Sequence, residues 1–194
     1  MPLTGGAGAP VDWLVVGLGN PGARYAGTPH NVGFEIAAAL ADRWALSKAK
    51  GKYRGLLREG RAGPGGPRIA ILAPQTYMND AGESAGPARG ALRVPLERVL
   101  VLHDEIDLPF GAVRVRTGGG LAGHNGLKSL EHSLGSAGFS RVRAGVGRPP
   151  STDPDLVAAY VLGRFSQTPE EVALLVARAA DAAEELVLGQ APPT

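Results

Sequence analysis

Cysteine is absent from the 194-residue sequence, so disulfide bonds, thiolate metal sites and a cysteine nucleophile are all excluded. The sequence also has no run of eighteen or more apolar residues, which is about the length that a membrane-spanning helix needs. Its N-terminal segment, MPLTGGAGAP, has neither the basic nor the apolar region of a signal peptide. These absences predict a cytoplasmic protein without a membrane segment.

A large excess of one charge is also lacking, since the formal net charge is only +2. The total therefore gives no indication of nucleic acid as a partner. Lysine is rare among the 20 basic residues, and arginine is the better side chain for bidentate contacts with phosphate. A bias in codon usage would give the same composition, so both explanations stay open. With 44% hydrophobic residues, the chain can bury the core of one domain of ordinary size.

Apolar periodicity predicts strands that alternate with helices along the chain. The predicted strands are residues 13–17, 53–59, 68–73, 98–106, 113–116 and 141–147, and the predicted helices are residues 34–44, 81–92, 126–134 and 168–189. This order favours a single three-layer α/β domain over residues 11–189, in which helices flank a twisted, mixed and mostly parallel sheet. Residues 1–10 and 190–194 are predicted to be flexible tails.

The first glycine-rich segment, GLGNPG, follows the strand predicted at residues 13–17. Gly17, Gly19 and Gly22 have the G-x-G-x-x-G spacing of a dinucleotide-binding turn. Such a turn needs a helix directly after it and, about 20 positions on, an acidic residue at the end of a second strand. Here the helix begins only after a further loop, and the candidate acid, Asp42, lies late in that helix. The pattern therefore argues against a nicotinamide-dependent oxidoreductase.

Three acidic residues and a histidine occur in HDEIDLP, at the end of the best candidate for a central strand. His103 and Asp104 are adjacent in that strand and so point to opposite faces, which makes a shared metal ion difficult. A hydrated magnesium ion held by one or two of the acids stays open. We interpret Asp104 as a single carboxylate placed at the carboxyl edge of the sheet, with a capping or turn-forming role as the alternative.

Histidine and asparagine stand side by side twice, in GTPHNVGF and in GGGLAGHNGLKSLE. In the first segment Asn31 can cap the helix that follows, and His30 can fill the turn before it. In the second, the glycines would let His124 and Asn125 approach a ligand, and Asn125 can also cap its helix. This second segment lacks the G-K-[ST] ending of a nucleotide-binding loop. Both pairs are candidate functional residues, and a capping role does not exclude another one.

Basic and apolar residues alternate in two predicted strands, VRVR and RVRAG. Arg114 and Arg116 therefore share one face of their strand, and Arg141 and Arg143 share one face of theirs. If the two strands lie close together, these arginines form an anion-binding patch for a phosphate-rich partner. A solvated sheet face is the alternative.

Six segments occur in the order and spacing of the bacterial peptidyl-tRNA hydrolases, namely GLGNPG, TPHNVGF, PQTYMNDAG, HDEIDLPFG, GGGLAGHNGLKSL and FSRVRAGVGRP. The chain resembles this family over residues 13–188. The resemblance implies an enzyme that cleaves the ester between a peptide and the 3′ ribose of tRNA, with a histidine as general base. It implies no covalent intermediate, no metal and no other cofactor. A non-catalytic RNA-binding splicing cofactor of the same fold is the alternative.

The same resemblance implies roles for individual residues. His30 is the catalytic histidine, Asp104 orients it, and Asn20 positions water or the oxyanion. The other implied substrate contacts are Tyr25, Tyr77, Met78, Asn79 and Asn125. Arg116 and Arg143 match a basic pair that clamps the 5′ phosphate of tRNA. The implied partner is peptidyl-tRNA, bound through its acceptor stem and 3′ end by a monomer.

Two positions depart from the family's pattern. Pro29 stands where the family usually has arginine, which removes a positive charge next to His30. Proline at this position also favours an extended backbone at Thr28. Leu121 lies where a histidine or another small or polar residue is common. Neither departure touches the implied catalytic residues, and both bear on tRNA affinity or on the opening of the cleft.

Overall fold

The computed structural model of the protein describes residues 10–189, so the tails predicted at residues 1–10 and 190–194 lie outside the described residues except for Pro10. The strands are β1 (Trp13–Gly17), β2 (Lys50–Lys52), β3 (Gly55–Arg61), β4 (Arg68–Pro74), β5 (Val99–Glu105), β6 (Val113–Thr117) and β7 (Ser140–Gly145). The helices are α1 (Val32–Arg43), α2 (Gly82–Leu92), α3 (Asn125–Leu134), α4 (Pro154–Leu162) and α5 (Pro169–Val187). Within residues 10–189, no helix is both long enough and apolar enough to cross a membrane.

The seven strands form one mixed sheet in the order β2-β3-β4-β1-β5-β7-β6. The four central strands, β4, β1, β5 and β7, pair in parallel, while β2, β3 and β6 add antiparallel pairs at the two sides. Every residue of β5 is buried, as expected of a central strand with a continuous apolar run. The mixed α/β sheet expected from the sequence is confirmed.

Helices cover both faces of the sheet and give the expected three layers. On one face, α1 and α5 pack against a core that includes Leu100 and Leu102 of β5. On the other face, α2 and α3 pack against a core that includes Val99 and Val101. Because successive side chains of a strand point to opposite faces, β5 contributes to both cores and holds the two helical layers on one sheet.

Close backbone packing sets the start of α1 against the sheet. A Cβ atom at Gly33 would collide with the backbone of Leu18 and Leu102, and a Cβ atom at Gly17 would collide with the backbone of Gly33. Glycine at both positions therefore lets α1 lie directly on β1 and β5. This contact brings the turn before α1 next to the carboxyl ends of these two strands.

His30 lies in a 3₁₀ turn at Pro29–Asn31, directly before α1. Pro29 occupies the first position of this turn, where its missing N–H is not needed. Thr28 has the extended dihedrals that the following proline favours, with φ −92° and ψ 154°. Pro29 is itself buried, and its fixed φ suits the first position of the turn that presents His30.

Two elements were not predicted from the sequence. β2 consists of three exposed residues that pair with β3 near one edge of the sheet. α4 carries apolar residues on nearly all sides and buries only Val161, so the contrast between an apolar and a polar face is missing.

Candidate active site

A cleft of about 650 Å³ opens at the carboxyl ends of β1 and β5, beside the turn before α1 and the start of α3. The site residues expected from the sequence that line it are Asn20, His30, Tyr77, Met78, Asn79, Asp104 and Asn125. Helix α4 forms an apolar wall of the cleft with Val157, Ala158, Val161 and Leu162. The fold thus brings residues that are far apart in the sequence to one place.

His30 and Asp104 form the polar centre of the cleft. His30 Nδ1 lies 2.9 Å from Asp104 Oδ2, and an ionised carboxylate can only accept, so Nδ1 carries the shared proton. In the neutral ring, Nε2 then keeps its lone pair and is the nitrogen able to take up a proton. The side chain of Asp104 is 2% exposed and that of His30 is 14% exposed, so the histidine stands between the buried carboxylate and the cleft.

A second histidine, His124, contacts the other oxygen of Asp104. His124 Nε2 lies 2.8 Å from Asp104 Oδ1, and His124 Nδ1 accepts a hydrogen bond from the backbone N–H of Leu127. A nitrogen that accepts carries no proton, so these bonds select the neutral ring with its proton on Nε2. Asp104 therefore accepts hydrogen bonds from the rings of both His30 and His124. The centroids of these two rings lie 5.0 Å apart.

Sequence reasoning missed the bond between His124 and Asp104. It also allowed Asn125 to cap α3, and this expectation is wrong, because His124 holds the N-cap position and its side chain accepts the capping bond. The one available signal was the repeated His-Asn pair, which precedes a helix in both segments. In each pair the histidine bonds to Asp104.

The surroundings of Asp104 decide its charge. Burial alone raises the pKa of this carboxyl group. The electrostatic attraction of the His124 and His30 rings and the hydrogen bonds that they donate act in the opposite direction and outweigh burial, so the pKa of Asp104 lies far below its ordinary value. Asp104 is therefore an ionised carboxylate at neutral pH and can stabilise a protonated His30 across their hydrogen bond.

Hydrogen bonds also fix the side chain of Asn20. Asn20 Oδ1 accepts from the backbone N–H of Met78 at 2.7 Å, which leaves the NH₂ group as its donor toward the cleft. Asn31 holds the backbone of the same residue, since Asn31 Oδ1 accepts from Asn20 N–H and Asn31 Nδ2 donates to Asn20 O. The expectation that Asn31 caps α1 is wrong, because its side chain makes these two bonds and no capping bond to α1.

The remaining cleft residues differ in exposure. Met78 is buried, whereas Asn79 and Asn125 are exposed on the cleft. Tyr77 is 63% exposed, more than any other large hydrophobic side chain of the described residues. An exposed aromatic ring beside two exposed amides is suited to contact a bound ligand.

Tyr25 lies outside the residues that line the cleft. It belongs to the exposed turn after β1, where its carbonyl oxygen accepts from the N–H and the hydroxyl of Thr28. The guanidinium carbon of Arg24 lies 5.4 Å from the centre of its ring. The implied substrate contact of Tyr25 therefore gains no support from the cleft, since the turn holds this residue elsewhere.

The arginines expected to share one sheet face lie on the adjacent strands β6 and β7. Arg114 and Arg116 are exposed on β6. On β7, Arg143 donates two hydrogen bonds to Glu105 Oε1, at 2.9 and 3.0 Å. Arg141 is only 1% exposed. The expected patch therefore has exposed members on one strand only, because one arginine of β7 is ion-paired and the other is buried.

Comparison with known proteins adds to this geometry. The family model described as peptidyl-tRNA hydrolase matches residues 14–192, which is nearly the whole chain. The chain belongs to the peptidyl-tRNA hydrolase family. The resemblance seen in the six sequence segments is thereby confirmed.

Individual relatives agree with this assignment. A peptidyl-tRNA hydrolase from Streptomyces coelicolor is 47% identical over 193 residues, which are 97% of this chain and 94% of the relative. One from Geobacillus kaustophilus is 46% identical over 175 residues, or 90% of this chain and 92% of the relative. The crystal structure of peptidyl-tRNA hydrolase from Acinetobacter baumannii has a TM-score of 0.82 at 36% identity, covering 94% of this chain and 93% of that chain.

The glycine-rich turn after β1 serves packing within this family member. A Cβ atom at Gly19 would collide with the ring of Phe34, and Gly17 lies against Gly33. The start of α1 therefore fills the space above the turn, where a dinucleotide would have to place its phosphates. This geometry agrees with the argument from the sequence against an oxidoreductase.

His30, Asp104 and His124 also offer three ligand atoms within 4.8 Å of one another, which could hold a metal ion. His30 Nδ1 and His124 Nε2 donate to Asp104, and His124 Nδ1 accepts from the N–H of Leu127. A metal ion bound through either of the two donating nitrogens would displace its proton and break its bond to Asp104. The hydrogen bonds as they stand suit acid-base chemistry, and a reaction without metal stays a prediction.

His103 lies next to Asp104 on the opposite face of β5 and is 1% exposed. Its Nδ1 donates to the backbone carbonyl of Asp104 at 2.7 Å, and its ring packs edge-on against His124. Burial lowers the pKa of His103 to about 3. The ring is therefore neutral at physiological pH, and it packs against the ring of His124 as an uncharged neighbour.

The buried His103 predicts how stability depends on pH. Below about pH 6.5 the ring binds a proton in the unfolded chain, whereas in the folded protein it stays neutral down to about pH 3. The contribution of His103 to stability is thus complete above about pH 6.5. The free energy of unfolding should fall as the pH decreases from about 6.5 toward 3. The contribution of His103 should be about 1 kcal/mol per pH unit.

Denaturant unfolding at several pH values measures this slope. His103→Gln, which keeps a donor for the carbonyl of Asp104, should flatten the decline between about pH 6 and pH 4. The matched control is His132→Gln, because His132 is exposed on α3 and its removal should leave the decline unchanged. The same pH dependence in the wild type and in both variants would contradict the role given to His103.

Proposed function

We propose that this chain hydrolyses the ester bond between the peptide and the 3′ ribose of peptidyl-tRNA and releases free tRNA and peptide. Membership of the family supports this reaction. The observation that carries the mechanism is the hydrogen bond from His30 Nδ1 to Asp104 Oδ2 at the centre of the cleft. It holds the ring in the tautomer whose Nε2 can act as a general base.

Water is the nucleophile in this mechanism. His30 Nε2 takes a proton from water as the water oxygen attacks the ester carbonyl carbon, and the charge of Asp104 stabilises the imidazolium that forms. The tetrahedral intermediate then collapses, the bond to the ribose 3′ oxygen breaks, and His30 returns the proton to that oxygen. Histidine suits both steps because its ordinary pKa is close to neutral pH. No serine nucleophile is required.

Amide side chains assist the reaction without titrating. The NH₂ group of Asn20 is the first candidate to position water or to donate to the developing oxyanion, because Met78 occupies the amide oxygen. Donors of this kind typically contribute about 10²- to 10³-fold in rate. Asn79 and Asn125 place the peptide and the 3′ end, with Tyr77 beside them as an apolar contact.

Arg116 and Arg143 bind the 5′ phosphate of the tRNA acceptor stem while the 3′ end enters the cleft. Arg116 is exposed, and its guanidinium group lies against Gly119 at the surface. Arg143 is held by Glu105, a residue that also lines the cleft, so Arg143 lies close to the ester-binding region. A monomeric state and a cytoplasmic location stay predictions.

Replacement of Arg116 with alanine should weaken tRNA binding and reduce its dependence on salt. Loss of one phosphate contact should make the slope of log K against log salt concentration less negative by about 0.9. Arg116 is the better test of the clamp because removal of Arg143 would leave the buried Glu105 without its partner. Filter binding at several salt concentrations measures both the affinity and the slope.

Arg61→Ala is the matched control for Arg116→Ala. Arg61 is an exposed arginine on β3, on the far side of the sheet from β6. Its removal should change neither the affinity for tRNA nor the salt slope. If Arg116→Ala behaves in the same way, Arg116 does not bind a phosphate of tRNA.

Release of an N-acetylated amino acid from its tRNA, measured together with tRNA binding by the same protein, tests the proposed function. Multiple turnovers in the presence of magnesium, which tRNA needs for folding, are the expected result. Tight binding of tRNA with no release would instead support the alternative, a non-catalytic RNA-binding protein of the same fold. Absence of both would contradict either function.

A further inference from the structure

Arg141 is the largest fully buried side chain of the described residues, and the mechanism above gives it no task. It lies on β7, between Ser140 and Val142, and its guanidinium group extends under the glycine-rich loop at residues 118–123. Its NH2 nitrogen donates to the carbonyl oxygens of Gly118 and Gly120, at 2.9 and 3.1 Å.

This position is unfavourable for a charged side chain. Burial lowers the pKa of Arg141, and the charges of Arg143 and Arg116 lower it further. Glu105 acts in the opposite direction, but its carboxylate bonds to Arg143. The Nε–H of Arg141 has no hydrogen-bond partner among the described residues. An apolar side chain would avoid these costs, so the two bonds to the loop must be what the arginine contributes.

The loop that Arg141 holds leads directly to the active site. Its glycines Gly118, Gly119 and Gly123 have φ values of +66°, +86° and +75°, in the left-handed region that glycine adopts freely. Within the described residues, three hydrogen bonds tie residues 118–123 to β7 and the residue before it. One runs from Gly118 N–H to Phe139 O, and the other two come from Arg141.

The next residues are His124 and Asn125. His124 donates to Asp104, and Asn125 lines the cleft. A shift of this loop would therefore move one of the two hydrogen-bond donors to Asp104. On its outer side the loop meets the tRNA-binding region, because a Cβ atom at Gly119 would collide with the guanidinium group of Arg116. The loop thus lies between Arg116, which is proposed to bind phosphate, and the catalytic pair of His30 and Asp104.

We propose that Arg141 is a positioning residue, which holds the loop at Gly118 and Gly120 and thereby sets His124 against Asp104. This inference rests on the hydrolysis proposed above and adds a residue that contacts neither the ester nor the tRNA. A displacement of about 1 Å in a catalytic group can lower a rate by about 10²-fold. Loss of the two bonds to the loop should therefore reduce kcat without an equal loss of tRNA affinity.

The test compares Arg141→Met with Val142→Ala. Methionine fills much of the buried space without donors, while Val142 lies on the opposite face of the same strand and its truncation lowers stability without touching the loop. In Arg141→Met, kcat should fall about 10-fold or more, with the Kd for tRNA within about twofold of the wild type. In Val142→Ala both values should stay within about twofold, at a temperature where circular dichroism shows that all proteins are folded.

A second readout does not depend on hydrolysis. Nitrogen-15 NMR of the histidine rings should show His124 with a proton on Nε2 and none on Nδ1 in the wild type, and a mixture of ring forms in Arg141→Met. This measurement tests the position of His124 even if the wild type proves inactive, in which case the proposed function fails separately.

Three results would overturn the inference. One is an unchanged kcat together with an unchanged His124 spectrum in Arg141→Met. Another is a loss of tRNA affinity as large as the loss of rate, since Arg141 would then bind tRNA itself. The third is an equal loss of kcat in Val142→Ala, which would indicate stability alone. If Arg141→Met does not fold, Arg141→Lys takes its place and should lose about threefold in kcat, because an ammonium group does not reproduce the guanidinium fork; native kcat in that variant would also overturn the inference.

Discussion

Replacement of His30 with alanine is expected to lower kcat for peptidyl-tRNA about 10³-fold, with tRNA affinity within about twofold of the wild type. Among the described residues that line the cleft, the variant loses the only histidine nitrogen left free to accept a proton from water, because His124 uses both of its nitrogens in hydrogen bonds. His103 cannot replace it, since that ring is fully buried on the other face of β5. Binding should persist because the phosphate contacts of Arg116 and the amides of the cleft remain.

Single-turnover release of an N-acetylated amino acid from its tRNA measures this effect, with filter binding on the same samples. The control is His132→Ala, which removes an exposed histidine of α3 and should change neither value. A rate for His30→Ala close to that of the wild type would show that another group is the base. A parallel loss of tRNA affinity would assign His30 to binding instead.

Asp104→Asn should lower kcat about 10³-fold, although the side chain keeps its size. The carboxylate accepts from His30 at one oxygen and from His124 at the other. Asparagine has one accepting oxygen and one donating NH₂ group, so one of the two rings would face a donor and lose its bond or change tautomer. The variant also lacks the negative charge that stabilises the imidazolium. Both effects act on the same step, the transfer of a proton from water.

The low pKa of Asp104 also predicts how the loss of rate in Asp104→Asn depends on pH. Because the pKa lies far below the ordinary value, protonation of Asp104 should not limit the wild-type rate at or above about pH 5. The loss in Asp104→Asn should therefore be present across the whole working range. Asp107→Asn is the matched control, since Asp107 is exposed in the loop after β5 and its ion pair is with Arg148, away from the two histidines. A loss in Asp104→Asn no larger than in this control would contradict the role of the carboxylate.

The sequence was sufficient for the parts of the fold that depend on local pattern. The apolar run at residues 99–102 predicted a strand buried on both faces, and β5 is such a strand. The carboxyl ends of parallel strands share one edge of a sheet, and Asp104 was expected at that edge because it closes this strand. The grouping of Asn20, His30 and Asp104 was expected from the family resemblance, and all three residues line the cleft.

Other features depend on tertiary contacts that local pattern does not encode. The side chain of Asn31 can cap a helix or bond to a distant backbone with the same atoms. The packing of α1 places it beside Asn20, and it therefore bonds to the backbone of that residue. The contact of His124 with Asp104 depends on how the loop at residues 118–123 folds back over the sheet, which rests on a buried arginine and left-handed glycines. Helix α4 was missed because an apolar helix exposed at a cleft lacks the usual periodic contrast.

The central claim is that His30 and Asp104 act as one unit in moving a proton from water. Single-turnover rates of the wild type, His30→Ala, Asp104→Asn and the double variant test it most directly. If the two residues act together, the double variant should be no slower than His30→Ala, because Asp104 has no task once the ring is gone. If instead the two losses multiply, the residues contribute independently and the proposed mechanism is wrong.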